Sequence, residues 1–597
     1  MRLESKAVAV PSREAVRASV GYDQLRAVGD ALYWLESRPS SGGVTLVRWH
    51  QSVGSVDLTR PGFDVASGVH AYGGGAYAVA DDQVWCITGD GLHLVDKGEA
   101  VVSAAALGDL VVGDGELLCV RESADGDAIV AVSLGQAKSE PRVLTQAPGF
   151  LSAPRPGPGL LAWSSWGEHD MPWDACELWV ASYEPGGLIS DPVKLAGGPD
   201  ESVVEPRWGP EGALYFVSDR SGWWNLYRWD GRCIEPVAPM AGECAAEPWE
   251  LGYTSYDFLG DGRIVMAVQQ GPRHALVVVG SAGNVQEVPL RYTSIKPYLA
   301  ARERSVALVG SSPTVAPQIA VVHLDGAEPR VQVLARAEHA ELDGVAVSVP
   351  IELWVPVQDG REVLALVYPP TGAGSDWRAP VIVRAHPGPT ASSLLRLDWQ
   401  AQFFTSRGFA VVDVDYTGST GYGRAFREAL YGRWGVADVA DCRAVAEHLL
   451  GEGHAIGGQV FVRGASAGGY TALQAVAQDG PFAAATAVSA IVDPDRWTAT
   501  VPRFQRAHAA RLRGGAGPVR AADIRQPVLM IHGSADDVAT IDDVRELTAE
   551  LAQRGAPHEL LLLDGVGHYV ASSTRAAAAL EAELAHYRTA ITAVVAG

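Results

Sequence analysis

Apolar and polar residues follow two different rhythms along this chain of 597 residues. From about residue 20 to about 340, apolar runs are short and are separated by Asp-Gly, Gly-Gly and Pro-Gly pairs. Short runs bounded by such turns predict β-strands, and sustained 3.6-residue periods are absent there. The strand groups recur roughly every 40–50 residues, the spacing of propeller blades. The clearest unit starts at Glu205-Pro206-Arg207-Trp208-Gly209-Pro210, continues through Leu214-Tyr215-Phe216-Val217, and then Trp223-Trp224-Asn225-Leu226-Tyr227. A related unit runs from Ala153-Pro154-Arg155-Pro156 to Glu177-Leu178-Trp179-Val180. Counting such units gives seven blades, beginning near 23, 67, 101, 151, 201, 245 and 294; the weaker outer units leave six or eight open. Two stacked sandwiches would also use short strands, but would not repeat at this period.

Beyond about residue 350 the rhythm changes. Apolar strand-like runs now alternate with alanine-rich stretches of helical period, such as Val436 to Leu450 and Arg575 to Val595. That alternation predicts a doubly wound, mostly parallel sheet covered by helices on both faces. The expected organisation is an amino-terminal segment 1–20 packing back on the second domain, an all-β propeller 21–345, and a doubly wound α/β domain 346–597.

Composition narrows the setting. Hydrophobic residues make up 47% and charged residues 20%, as in a globular protein. Cysteines at 86, 119, 176, 233, 244 and 442 form no CxxC pair and no zinc spacing, so free thiols in a reducing compartment are expected. Met1-Arg2-Leu3-Glu4-Ser5-Lys6 lacks the apolar core of a signal peptide, and no run is apolar enough to span a membrane. A cytoplasmic location follows as the expectation. The net charge of −23 argues against nucleic acid as a partner. It also mildly favours a substrate with a free amino group.

The chemistry lies in the second domain. Gly464-Ala465-Ser466-Ala467-Gly468 falls between a strand-like Gln459-Val460-Phe461-Val462 and a helix-like run from Tyr470. A serine on so sharp a strand-to-helix turn exposes its hydroxyl, and only small neighbours permit the approach. After a second apolar strand, Val528-Leu529-Met530-Ile531, come His532-Gly533-Ser534-Ala535-Asp536-Asp537. After a third, Leu560-Leu561-Leu562-Leu563, comes the loop Asp564-Gly565-Val566-Gly567-His568. Serine, acid and histidine, each in a loop after a strand, form the α/β-hydrolase order. Ser466 is the expected nucleophile and His568 the base. Asp536, with Asp537 as the alternative, would orient the imidazole. The developing oxyanion needs backbone donors. One is the N–H of Ala467. The other belongs to the loop His386-Pro387-Gly388-Pro389 after the strand-like Val381-Ile382-Val383-Arg384-Ala385, where Gly388 alone between two prolines has an N–H. His386 is expected to shape that loop. No metal or organic cofactor is needed or expected.

These motifs resemble the prolyl oligopeptidase family of serine peptidases, and within it a bacterial branch of acylaminoacyl-peptidase and dipeptidyl-aminopeptidase type. The segments Asp415-Tyr416-Thr417-Gly418-Ser419-Thr420-Gly421-Tyr422-Gly423, Trp434-Gly435-Val436-Ala437-Asp438 and Gly468-Gly469-Tyr470 carry the resemblance. In the propeller, Val69-His70-Ala71-Tyr72-Gly73-Gly74-Gly75, Met171-Pro172-Trp173-Asp174 and Trp223-Trp224-Asn225 extend it over nearly the whole chain. The chain departs from the family at Pro387, where the usual His-Gly-Gly-Pro has glycine, and at Val538-Ala539, usually Val-Pro. Ala71 and Ser41 stand where that branch often has glutamate.

The resemblance implies a serine peptidase for short peptides or aminoacyl amides, with the propeller restricting entry. A preference for a free amino terminus is expected. An acylaminoacyl peptidase, or a small-amide or ester hydrolase inactivating an aminoacyl antibiotic such as puromycin, would use the same triad. An aminopeptidase needs a carboxylate for the substrate ammonium, and Glu205 and Glu201 are the candidates. The substrate side-chain pocket is sought around Val492 and Trp497. A homo-oligomer is left open.

Overall fold

The structure, a computed structural model, describes residues 9–38, 43–80, 83–96, 100–103, 106–134, 140–337, 342, 344–357, 360–572 and 575–596. The turn-bounded strands form seven antiparallel sheets, one per blade, over residues 21–57, 77–103, 106–147, 150–196, 203–236, 256–288 and 294–336. Each blade has four strands in chain order, except the last, where Ser294–Ile295 and Ala300–Arg302 both pair with Ser305–Ser312. Five blade starts fall close to those read from the sequence period. The other two are displaced: the second blade begins at Tyr77 rather than near 67, and the sixth at Tyr256 rather than near 245. Both displaced segments leave the repeat to reach the second domain.

The ring closes between the first and seventh blades. Leu25, Trp34 and Val47 pack with Tyr298, Val309 and Ile319. Arg302 donates to the carbonyls of Gly29 and Ala31 at 2.6 and 2.9 Å, and Lys296 pairs with Asp23 across the same joint. Neighbouring blades are also stitched along the inner strands. There Gln24, Asp109 and Glu205 sit at bulges with positive φ. Their side chains accept from the N–H groups of Ala76, Ala153 and Ser255 in the next blade, at 2.8, 2.7 and 2.6 Å. These bonds satisfy buried donors that a sheet ladder cannot reach.

The second domain is an eight-stranded sheet, its strands numbered here in chain order: β1 (Ile351–Pro356), β2 (Glu362–Tyr368), β3 (Ala379–Ala385), β4 (Ala410–Asp415), β5 (Ala455–Ala465), β6 (Phe482–Val488), β7 (Val528–Gly533) and β8 (His558–Leu563). The spatial order is β1-β2-β4-β3-β5-β6-β7-β8. The β1–β2 and β2–β4 pairs are antiparallel and the others parallel. Alternate residues face opposite cores. Val381, Val383, Val412 and Val462 pack under the helices Ala437–Gly451 and Ala467–Val476. Ile382, Val411 and Phe461 pack with Trp399, Phe403, Leu584 and Tyr587 on the other face. Val10, Ala15 and Ala18, around the short helix Ser12–Arg17, join that second core. No helix among the described residues is long and apolar enough to cross a membrane.

The domains meet along a polar seam. Buried Asp219, at the end of a blade-five strand, accepts from Arg424 at 2.8 Å and Arg427 at 2.9 Å. Asp174 accepts from Tyr431 at 2.7 Å, Asp170 pairs with Arg511 at 2.5 Å, and Asp127 pairs with Arg503. In these contacts the propeller supplies the acid; in the pair Arg273–Glu352 the second domain does.

Candidate active site

Strand β5 ends at Ala465, and Ser466 follows at φ +53°, ψ −118° before the helix Ala467–Val476 begins. Such a backbone is unfavourable for a residue with a side chain and persists only where packing enforces it. The neighbours show what enforces it. A Cβ on Gly464 would fall 1.8 Å from the Gly468 carbonyl oxygen, and one on Gly468 would fall 2.2 Å from that of Ala385, at the end of β3. The small residues of the motif are therefore required by contact, and they bring the serine against the loop that follows β3.

Ser466 Oγ lies 2.9 Å from His568 Nε2. His568 Nδ1 lies 2.8 Å from Asp536 Oδ2 and 3.0 Å from Oδ1. Asp536 also accepts from the N–H groups of Val538 and Ala539, at 3.0 and 2.9 Å. Burial pushes its pKa up, but the hydrogen bond and charge of His568 outweigh that and hold the carboxyl below its ordinary value. Asp536 is thus ionised at neutral pH. With Nδ1–H donating to it, Nε2 presents its lone pair to the serine hydroxyl. Of the two acids read in the sequence, Asp536 rather than Asp537 stands at hydrogen-bond distance. The loss of the usual proline at Ala539 leaves an N–H that Asp536 uses.

Ala467 opens its helix, so its N–H has no acceptor one turn back. Gly388 has φ +124°, a region open to glycine, in the loop packed against the elbow. The His386 ring stacks on Tyr416 at 4.2 Å, with Nε2 2.7 Å from Ser419 Oγ, and burial pushes its pKa down to about 4. It is neutral and holds the loop, away from the serine relay.

Four expected substrate residues are engaged elsewhere. Glu205 accepts from both the N–H and the hydroxyl of Ser255, at 2.6 and 2.7 Å, and is a blade-to-blade stitch. Glu201 is paired with Arg220 at 2.6 Å and accepts from Ser218. Glu205 thus has both oxygens engaged, and Glu201 has its Oε1 shared by Arg220 and Ser218. Val492 and Trp497 are buried in the main hydrolase core, and the Trp497 indole N–H is used on the Val538 carbonyl at 3.1 Å. The packing of the core takes up both side chains. Ala71 is exposed beside Tyr72, so no carboxylate enters there; Ser41 lies outside the described residues.

Other residues stand beside the triad instead. Tyr72 and Trp249, from the two segments that break the blade period, pack together at 5.2 Å. Tyr72 also lies 6.5 Å from Tyr569, the neighbour of His568. Trp249 meets Trp173 at 4.6 Å and His508 at 5.7 Å. Half-buried Glu247 and Glu250 flank Trp249. Burial pushes the Glu247 carboxyl up to about 7 and raises that of Glu250. Neither forms an ion pair among the described residues, although Glu250 accepts from Tyr298 at 3.0 Å. The sequence does carry a signal for them: Glu247-Pro248-Trp249-Glu250 lies in a segment that interrupts the repeat.

Residues 395–593 match the profile of the prolyl oligopeptidase family. Over 98% of its length the chain is similar in structure to a puromycin-hydrolyzing peptidase of Mycobacterium tuberculosis, with 31% identity, a TM-score of 0.91 and 97% of that chain covered. A puromycin hydrolase variant solved in complex with PGG is 29% identical at a TM-score of 0.90, over 98% of this chain and 97% of that one. The acylamino-acid-releasing enzyme of Sus scrofa is 27% identical over 315 residues. That match spans 48% of this chain and 43% of the relative, less than half of its length.

Proposed function

This chain belongs to the prolyl oligopeptidase family, and we propose that it is a serine peptidase cleaving short peptides or aminoacyl amides through an acyl-enzyme. The observation that carries the reading is the unbroken relay from Ser466 through His568 to Asp536, at 2.9 and 2.8 Å. Ser466 Oγ attacks the substrate carbonyl as His568 Nε2 takes its proton. The tetrahedral oxyanion is held by the N–H groups of Ala467 and Gly388. It collapses with cleavage of the C–N bond, and the leaving amine takes the proton from His568. Water, deprotonated by the same imidazole, then frees the acyl group.

We further propose that Glu247 and Glu250 hold a substrate ammonium, a role to which Glu205, bonded through both oxygens to Ser255, and Glu201, paired with Arg220, are less suited. A carboxylate beside tryptophan and tyrosine faces favours a cation. A free amino terminus is thus preferred to a blocked one. The similarity to a puromycin-hydrolyzing peptidase over nearly the whole chain supports a second reading, hydrolysis of an aminoacyl amide drug, which has the same free amine. The six free cysteines fit a reducing, cytoplasmic setting.

A fluorophosphonate should label Ser466, and Ser466→Ala should abolish labelling and lower turnover by about 10⁴-fold or more. Labelling at another serine, or retained turnover, overturns the assignment. A panel of aminoacyl, dipeptidyl and acetyl-aminoacyl p-nitroanilides with puromycin separates the substrate readings.

A further inference from the structure

The loop that carries Gly388 is gripped from two sides. Its start belongs to the hydrolase domain: Tyr416 donates its hydroxyl to the His386 carbonyl at 2.7 Å, and the His386 ring is fixed on Tyr416. Its continuation is held by both domains: within the hydrolase domain the Thr420 N–H donates to the Ala391 carbonyl at 2.9 Å and the Ser393 N–H to Asp415 at 2.7 Å, and the propeller adds three bonds. The Trp249 indole N–H donates to the Thr390 carbonyl at 2.7 Å. Gln269 donates to Ser392 Oγ at 2.8 Å, and the Thr293 hydroxyl to the Leu395 carbonyl at 2.6 Å. Gly388 lies between the two grips. It also packs on the residue that Trp249 holds, since a Cβ at Gly388 would come within 2.9 Å of Thr390 N. A shift of Thr390 is therefore passed directly to the Gly388 N–H.

We propose that Trp249, a propeller residue, is a positioning residue for the oxyanion site. Its N–H on Thr390 is the hold nearest to Gly388 on that side, so this donor is fixed in its final position when the propeller is seated. The inference rests on the reading of Gly388 and Ala467 as those donors. The energetic logic follows from how steeply such donors depend on position. Removal of one costs about 10²–10³-fold in turnover, and misplacement by about 1 Å can cost about 10²-fold. A hydrogen bond two residues from the donor, made by a rigid ring wedged between Tyr72 and Trp173, can impose that precision. It would also tie chemistry to domain closure: if the propeller swings away to admit substrate, the bond to Thr390 opens with it.

Trp249→Phe keeps a ring in the same wedge and removes only the donor. With an aminoacyl p-nitroanilide, kcat should fall about 10–100-fold while KM changes less than about threefold. A peptide aldehyde, whose adduct with Ser466 places an oxygen in the oxyanion site, should lose affinity in parallel with kcat/KM. The cleaved acid product should bind as before. Gln269→Leu removes a second propeller grip and should give the same pattern to a smaller degree, which covers the case of Trp249→Phe failing to fold. Unchanged kcat in both variants overturns the inference, as does a rise in KM alone, which would make Trp249 only a wall of the site. Equal weakening of aldehyde and product also overturns it. Fluorophosphonate labelling of Ser466 in the unaltered protein is the parallel control. If it fails, the functional reading fails; if it succeeds and kcat survives in the variants, only the role of Trp249 does.

Discussion

A carboxylate can hold a substrate ammonium only with lone pairs that no neighbour has taken. Glu205 gives both oxygens to Ser255, and Glu201 gives Oε1 to Arg220 and Ser218, which ties its charge to a guanidinium. Glu247 is desolvated, close to Trp249, and without an ion pair among the described residues. A charge-assisted hydrogen bond in such a setting contributes roughly 1.5–3 kcal/mol. Glu247→Gln should therefore cut kcat/KM for a free aminoacyl p-nitroanilide by about 10–150-fold and leave the acetylated analogue nearly unchanged. Equal losses on both substrates would show a structural role, and best cleavage of the acetylated compound would make the chain an acylaminoacyl peptidase. The triad was readable in the sequence because Ser466, Asp536 and His568 each follow an apolar strand, and chain order alone brings such loops to one sheet edge. For the proposed ammonium site the sequence carries one signal only, the segment around Glu247 that interrupts the repeat. Whether Glu205 or Glu247 is free depends on partners as distant in sequence as Ser255, and no local pattern encodes which lone pairs are taken.

Elements show the same division between what repeats and what departs from repetition. The blade period could be read wherever four strands follow one another with short turns. It misplaced the second and sixth blades because residues 67–76 and 245–255 are spacers on the hydrolase side. The interruption of the period was itself the mark of function, since Tyr72 and Trp249 lie in those spacers. Within the regular blades, inner-strand acids serve the ring. Glu205 shows what that costs: burial pushes its pKa up to about 7 from 4.5, despite the two bonds from Ser255. In the native state it holds its proton to higher pH than in the unfolded chain. Its contribution to stability is therefore complete below about pH 4.5 and is lost as pH rises through about 7, on the order of 3 kcal/mol. Glu205→Gln removes that titration and keeps an acceptor for Ser255. Relative to the unaltered protein, its melting temperature should rise by a few degrees between pH 5 and pH 8. A difference independent of pH would mean that the carboxyl is not desolvated as described.

At the scale of the molecule, the decisive feature is that the two domains complete each other. The hydrolase sheet supplies the serine relay, and the propeller supplies aromatic neighbours, the acids proposed for the ammonium and bonds to the loop of Gly388. On the proposed role of Trp249 the polar seam between them bears on catalysis, and its contacts differ in weight. Arg273 and Glu352 pair near solvent, where an ion pair contributes at most about 1 kcal/mol. Asp219 is fully buried, takes both Arg424 and Arg427, and also accepts from the Ser202 N–H at 2.7 Å. The Arg427 guanidinium, itself buried over the Trp224 ring, has no route to water when Asp219 is neutralised. Removing one partner of such a buried pair costs about 3–5 kcal/mol, because the other charge remains unpaired. Asp219→Asn retains the shape and the acceptor for Ser202, so the loss should fall on docking rather than on the blade. Calorimetry should show one transition splitting into two or moving down by several degrees, and kcat should fall with the same signature as Trp249→Phe. Glu352→Gln should do neither. If both seam variants behave alike, or if Asp219→Asn lowers the melting temperature with kcat intact, then domain seating and the chemistry are not coupled through this interface.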